Sequence, residues 1–199
     1  MNYMHFQFQE EKLVQALAFL SLHGISDLTK LKASKLLYFA DKIHLNLYGR
    51  PITGDSYACM DRGPVPSISL NEMNEAIDPE ESNEEPALLK VLEIRQGFIH
   101  PTIKLKDERL FDPETFSRSE LEVLQEVATK YGRKSASQLI ELSHLEPSWK
   151  KANEHRGEGS SAPMPFETLF DASNRDVLES VLHEQREQAE WENLLACDC

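Results

Sequence analysis

The sequence has few of the features that mark secreted, membrane-spanning or disulfide-stabilised proteins. Its 199 residues include three cysteines, Cys59, Cys197 and Cys199, and this odd, sparse set argues against a disulfide framework. The first twenty residues carry no basic leader and no uninterrupted apolar run, so we expect neither a signal peptide nor a membrane span. These absences predict a cytoplasmic protein with reduced thiols.

Basic side chains are also scarce, with 21 Lys and Arg against 34 Asp and Glu, which gives a formal net charge of −13. Such a charge repels a phosphate backbone, because non-specific nucleic-acid affinity depends on Lys and Arg displacing condensed counterions. The composition therefore disfavours nucleic acid as a partner. Residues 72–93 hold eight acids against one base, whereas residues 27–66 hold six bases against four acids. A small basic surface formed by residues 27–66 is therefore still possible.

The sequence also lacks the linear signatures of common catalytic and nucleotide-binding sites. It contains no P-loop, no dinucleotide-binding glycine motif, no HExxH zinc motif and no nucleophile elbow. The glycines instead lie at predicted helix ends and turns. A catalytic site could still be formed by segments that are distant in the sequence. We nevertheless expect that the protein is not an enzyme and that it has no catalytic residue, cofactor or metal.

Two pairs of polar residues have a helical spacing that suits chemistry. Asp41 and His44 are one turn apart, which could orient an imidazole for general-base work or for metal binding, although we favour a surface polar pair. Glu141 and His144 have the spacing found in di-iron bundles, but such sites need a second copy of the motif, and the sequence has none. We therefore expect no metal here.

Arg95 and His100 fit a loose R-x4-H pattern that occurs in some helical ribonucleases. Such a pair could stabilise and protonate a scissile phosphodiester. In this sequence the pattern spans Gly97 and a predicted strand, whereas that chemistry depends on a helix. A structural role is therefore the favoured interpretation.

Apolar periodicity predicts a predominantly α-helical α+β protein. We expect about six helices, at residues 8–22, 28–48, 67–77, 117–131, 135–144 and 174–195. Asp27 and Gly49 are the expected caps of the second helix, which we predict to be central. Ser117 and Glu120 form a capping box at the start of the fourth.

A small antiparallel sheet completes the predicted fold. Residues 88–94 and 98–105 read as two strands of a β-hairpin around Gly97, and residues 56–60 as a further short strand. Residues 78–86 and 154–165 are predicted to be loops, since they are rich in acidic residues or in Gly, Ser and Pro.

The most specific pattern is residues 35–67, KLLYFADKIHLNLYGRPITGDSYACMDRGPVPS, followed some 80 residues later by SHLEPSWKKA. In this order the segments resemble the Panacea, or SocA-like, antitoxin domain, which pairs a KLLYFAD helix and a YG-RPITGD turn with a GPV element and a distal His and Trp. The resemblance extends over about residues 11–171. The positions that match its motifs are Lys35, Tyr38, Gly49, Gly54, Gly63, Pro64, His144 and Trp149.

The resemblance implies a bacterial or phage antitoxin that neutralises a cognate protein toxin by direct binding, with the toxin encoded by a neighbouring gene. The nearer alternative is an adaptor that delivers the toxin to an AAA+ protease. More distant alternatives are a nuclease or hydrolase and a mobile-element regulator. We expect a Panacea-like domain at residues 1–172, with an acidic C-terminal helix at residues 173–199 packed on the same domain.

Partner-binding residues are predicted in two groups. The first group lies in or near the slightly basic segment, and the second is an acidic stretch that would steer a basic partner, although a solvated loop is the favoured interpretation. The predicted residues are Asp41, His44, Tyr48, Arg50, Asp55 and Arg62, together with Glu80, Glu81, Glu84 and Glu85.

Overall fold

The structure, a computed structural model, describes residues 4–78, 85–97 and 99–197. Its α+β class confirms the prediction, but these residues contain eight α-helices, so about six was an undercount. The helices are α1 (Glu10–Leu22), α2 (Lys30–Tyr48), α3 (Ser67–Ile77), α4 (Ala87–Val91), α5 (Arg118–Tyr131), α6 (Ala136–His144), α7 (Pro147–Glu154) and α8 (Arg175–Cys197). The strands are β1 (Tyr57–Met60), β2 (Gly63–Pro66), β3 (Leu92–Arg95), β4 (Thr102–Leu105) and β5 (Ala162–Met164).

Helix α2 lies at the centre of the molecule, as its apolar circumference predicts. Most of its residues are buried, and α1, α3, α5, α6 and α8 all pack against it or beside it. Its N-cap is Thr29, whose side chain accepts from the Lys32 N–H, so the prediction of Asp27 was wrong. Asp27 instead forms an ion pair with Lys32 at 2.6 Å. Gly49 ends the helix in the left-handed conformation, with φ of 74°.

A three-stranded sheet has the order β2-β1-β5, and both pairings are antiparallel. Strand β1 confirms the strand expected at residues 56–60. Strands β2 and β5 were not predicted, because each contains proline, which donates no ladder hydrogen bond. Both lie at the edges of the sheet, where a missing donor costs little.

The predicted β-hairpin exists as β3 and β4, with Leu92 opposite Leu105 and Arg95 opposite Thr102. Residues 88–91, predicted as strand, lie in helix α4 instead. Short apolar runs do not distinguish the two states by periodicity alone. The hairpin packs on α1, where the Leu105 N–H donates to Ser21 Oγ at 2.9 Å.

The hydrophobic core joins α1, α2 and α5 through residues such as Leu17, Leu36 and Leu124, each of which is fully buried. The predicted capping box of Ser117 and Glu120 at the start of α5 is confirmed, and Ser135 and Gln138 form a second one at α6. None of the described helices is long and apolar enough to cross a bilayer.

Candidate functional site

The motif residues Lys35, Gly63 and Pro64 meet at the turn between β1 and β2. The buried Lys35 Nζ donates to the Pro64 carbonyl at 2.7 Å. Gly63 has φ of 97°, and a Cβ at this position would overlap Ser143 Oγ and lie 2.8 Å from Lys35 Nζ. The turn therefore lies directly on α2 and α6 only because this residue has no side chain.

Burial lowers the pKa of Lys35 to about 7, since an ammonium ion is poorly solvated in the interior. Cys59, which is free and buried, opposes this shift when its thiol ionises. The same surroundings act on His144: burial and the nearby Lys35 both lower its pKa. At neutral pH this cluster holds less charge than its residue types suggest.

The distal motif pair, His144 and Trp149, forms a stack between the end of α6 and helix α7. The two rings are parallel to within 12°, and their centroids are 3.9 Å apart. The Trp149 indole N–H donates to the Met60 carbonyl at 3.1 Å. At the residue before Trp149, the hydroxyls of Ser148 and Tyr38 share a hydrogen bond of 3.1 Å. These contacts attach α7 to both α2 and β1.

Asp41 organises the loop that follows α2. Its Oδ1 accepts from the Ile52 and Thr53 N–H groups at 2.9 and 2.8 Å, and its Oδ2 accepts from the hydroxyls of Thr53 and Tyr57 at 2.5 and 2.8 Å. Burial raises the pKa of Asp41 to about 6, although these hydrogen bonds oppose the shift. A fully enclosed carboxylate with four donors is part of the scaffold.

His44 and Asp55 have similar structural roles. His44 is buried, with Nδ1 2.6 Å from the Arg50 carbonyl and Nε2 3.1 Å from Ser119 Oγ. Asp55 accepts from the Ile68 and Ser69 N–H groups at the start of α3, where Pro66 supplies no side-chain cap.

Asp41 and His44 are therefore not the surface polar pair we expected, because both side chains are interior and bond to the loop that follows α2. Asp41, His44 and Asp55 were also predicted to contact a partner. Their burial leaves no surface for such contact in this conformation.

Other predicted partner residues are exposed. Tyr48 lies at the end of α2, Arg62 lies in the β1–β2 turn, and Arg50 reaches from the following loop to Glu120 at 2.6 Å. Glu85 is exposed before α4, whereas Glu80, Glu81 and Glu84 lie outside the described residues. The exposure of Tyr48, Arg50 and Arg62 is compatible with contact to a partner, and their role in binding stays a prediction.

A groove of about 590 Å³ runs between the N-terminal segment, the end of α2 and helix α8. It brings Tyr48 and Arg50 beside Val181 and Gln188. Gly49 forms its base, since a Cβ there would lie 2.7 Å from Val181 Cγ2. Gly54 lies nearby under the N-terminal segment, and a side chain there would overlap the Gln7 carbonyl.

The N-terminal segment fixes the opposite wall of the groove. The His5 N–H donates to Gln185 Oε1 at 3.2 Å, and Gln185 Nε2 donates to the His5 carbonyl at 2.9 Å. Sequence reasoning missed this groove, because the residues that meet are some 180 positions apart. The apolar periodicity of α8 was the signal in the sequence that one face of this helix packs against the rest of the protein.

The weaker catalytic patterns gain no support from the geometry. Arg95 is exposed at the end of β3, where it pairs with Glu93 at 2.5 Å, and His100 lies in the turn that follows, so neither is on a helix. Among the described residues, no three His, Cys, Asp or Glu side chains come together in a way that would hold a metal ion.

Comparison with known proteins identifies the family. A family described as antitoxin SocA-like, Panacea domain, matches residues 34–150. Searches of curated proteins and of solved structures gave no match. The matched range contains all eight motif positions, from Lys35 to Trp149, and spans more than half of the sequence. The chain therefore belongs to the SocA-like antitoxin family with a Panacea domain.

Proposed function

We propose that this protein neutralises a protein toxin by binding it directly. The observation that carries the proposal is the family match over residues 34–150, which includes the whole α2 motif, the β1–β2 turn and the His144–Trp149 stack. Neutralisation by binding requires a stable scaffold that presents a recognition surface, and it requires no catalytic group.

The chemistry of the interior supports a binding role. Lys35 and Asp41 have strongly shifted pKa values, which often mark active sites. Here, however, both are enclosed, and their polar atoms bond to loops of the same chain. Each shift follows from burial within a structural network, so these residues maintain the shape of the molecule.

The toxin would be encoded by a gene next to that of this protein, and binding would mask its active surface. Both proteins would then act in the cytoplasm. Among the described residues of the predicted contact set, Tyr48, Arg50, Arg62 and Glu85 are exposed. The acidic stretch Glu80, Glu81, Glu84 and Glu85 would accelerate association with a basic toxin, since complementary charge raises association rates at low salt.

Co-expression tests this proposal. Each flanking gene is expressed in a bacterial host, alone and with this protein, and growth and co-purification are scored. We expect one flanking product to arrest growth, this protein to restore it, and the two to elute as one complex. If a flanking product is toxic but this protein neither restores growth nor binds it, the proposed function is wrong.

A protease adaptor would share the recognition step and differ in the fate of the toxin. In the presence of ATP and an AAA+ protease, an adaptor accelerates loss of the toxin, whereas a masking inhibitor leaves it intact. A pulse-chase measurement of the toxin half-life, with and without this protein, separates the two. A nuclease would instead show turnover that is lost on changing Arg95 and His100, and a mobile-element regulator would bind a host protein without any toxic neighbour.

A further inference from the structure

Helix α8 covers the body of the protein with the apolar residues of its first half, Val177, Leu178, Val181 and Leu182, whereas the apolar stripe of its second half is exposed. At about 100° per residue, Val177, Val181, Trp191 and Leu195 share one face, with Glu184 and Gln188 between them. Val177 and Val181 pack at Gly49, at the end of α2. Trp191 and Leu195 are 67% and 68% exposed, and Leu194 beside them is 61% exposed.

The point where α8 leaves the body of the protein is well marked. Gln185 exchanges two hydrogen bonds with His5, and Gln188 is the last residue of α8 to line the groove. The helix continues to Cys197, which adds about 13 Å at 1.5 Å per residue. A helix that serves only to cover the body has no need for a tryptophan and two leucines on this extension.

Acidic residues surround the uncovered stripe. Residues 184–192 hold four exposed acids, Glu184, Glu187, Glu190 and Glu192, against the single base Arg186, for a net of −3. Negative charge near a helix C-terminus opposes the helix dipole, and the last turn of α8 carries no base to compensate. Although Glu187 and Glu192 contact His183 and Gln188 one turn earlier in α8, the segment keeps its excess of negative charge.

We propose that the second half of α8, together with the groove beside Tyr48, is the docking surface for a basic protein partner with an apolar face. This deepens the proposed function, on which it rests, by assigning the toxin to this surface. Trp191 and Leu195 supply the apolar centre, and the glutamates form a rim that complements basic side chains. A second copy of this chain fits poorly, because pairing α8 with itself would bring the acidic rims together.

The first arm of the test does not depend on a known toxin. The probe is a fluorescent amphipathic helical peptide of about 18 residues made of leucine and lysine, and the comparison peptide has glutamate in place of lysine. We expect the lysine peptide to bind and the glutamate peptide not to bind. Changing Trp191→Ala with Leu195→Ala should weaken binding at least tenfold, as truncation of an apolar anchor does.

Ile99→Ala is the matched control, because Ile99 is 77% exposed and lies in the β3–β4 connection. It should bind the lysine peptide as the unchanged protein does, while Glu184→Lys with Glu187→Lys and Glu190→Lys should bind it weakly. Equal binding by the Trp191–Leu195 double variant would overturn the proposal. So would sedimentation showing a dimer that the double variant abolishes, since the occupant would then be a second copy.

The second arm uses the toxin found by co-expression. The double variant should fail to restore growth, although circular dichroism shows it folded, and Ile99→Ala should restore growth fully. If the double variant restores growth as well as the unchanged protein does, the assignment of the toxin to this surface is wrong, but the antitoxin role stands. If the unchanged protein neutralises no flanking product, the antitoxin role fails, and the peptide arm alone decides whether the surface binds basic partners.

Discussion

The interior cluster around Lys35 and the surface along α8 use their side chains in opposite ways. In the interior, charged and polar groups such as Lys35 and Asp41 are enclosed, and their bonds go to loops of the same chain. On α8, apolar side chains such as Trp191 and Leu195 face solvent. The first pattern fixes one conformation, and the second leaves binding free energy available to a partner.

The family match divides the two regions in the same way. It covers residues 34–150, which contain the interior cluster, and it leaves α8 outside. If α8 is the docking surface, as we propose, substitutions on it change partner choice without disturbing the buried network. Specificity that depends on local contacts and clashes is then separated from stability.

Of the substitutions considered, Gly63→Ala in the interior should have the largest effect on the free energy of unfolding. Residue 63 has φ of 97°, and a Cβ would meet Ser143 Oγ and Lys35 Nζ. Backbone strain and overpacking should together lower the free energy of unfolding by about 3 kcal/mol or more. Urea denaturation followed by circular dichroism measures this change.

Gly24→Ala is the control for backbone strain alone. Gly24 has φ of 77°, close to the left-handed region, but a Cβ there would have no neighbour within 4 Å. It should cost about 1–2 kcal/mol. If Gly63→Ala costs no more than Gly24→Ala, the close packing of the β1–β2 turn on Lys35 and Ser143 does not stabilise the protein.

Substitution of Asp41 should have the next largest effect on the free energy of unfolding. Asp41→Ala removes the acceptor of the Ile52 and Thr53 N–H groups and should cost about 2–4 kcal/mol, because buried donors lose their partners. Asp41→Asn keeps the shape and one oxygen, and it should cost less. Thermal and urea unfolding at neutral pH rank the two variants.

The pH dependence of the free energy of unfolding reports the pH at which Asp41 ionises in the folded protein. Its folded pKa of about 6 lies above the value of about 3.9 expected in the unfolded chain. The folded state thus binds the proton more tightly, and Asp41 makes the free energy of unfolding fall as the pH rises from about 4 to about 6. Asp41→Asn should remove this part of the pH dependence. An unchanged pH profile in the variant would show that the carboxyl ionises normally.

Gly49→Ala examines the contact between the two regions. Gly49 has φ of 74°, and a Cβ would lie 2.7 Å from Val181 Cγ2 on α8. We expect a cost of about 2–3 kcal/mol, because the overlap with Val181 adds to the backbone strain, with faster hydrogen exchange in α8 and unchanged exchange in α5. Faster exchange in both helices would show instead that α8 and the core unfold as one unit.

The elements that were predicted correctly depend on neighbours in sequence. Helix α5 begins with a capping box, and α2 ends at Gly49. Apolar periodicity and capping residues were therefore enough to predict these two helices. The His144–Trp149 pair was predicted through the family resemblance, and the stack gives that pair a physical meaning. The helices at residues 147–154 and 87–91 were missed, because both are short and neither begins with a side-chain cap.

Other features were missed because they depend on segments that are distant in the sequence. Strand β5 pairs with β1 about 100 residues away, and nothing local to Ala162–Met164 indicates it. Asp41 and His44 looked like a surface pair, because their partners, Thr53 in the loop after α2 and Ser119 in α5, come near them only in the fold. Local patterns specify helices and caps, whereas the buried polar network needs the tertiary structure.

The smallest expected effect concerns the acidic stretch before α4. Changing Glu80, Glu81, Glu84 and Glu85 to lysine should alter the free energy of unfolding by less than about 0.5 kcal/mol, but it should slow association with a basic toxin several-fold at low salt. The difference should vanish as salt rises, because screening removes long-range attraction. Stopped-flow association across salt concentrations measures both effects.

A second quadruple variant separates local from global charge. Glu114, Glu141, Glu154 and Glu158 are exposed and spread over other surfaces, so changing them to lysine alters the net charge by the same amount. If both variants slow association equally, the overall charge of −13 steers the partner, and the acidic stretch has no special role. If only the first variant slows it, the charge of the acidic stretch itself steers the partner, independently of the overall charge.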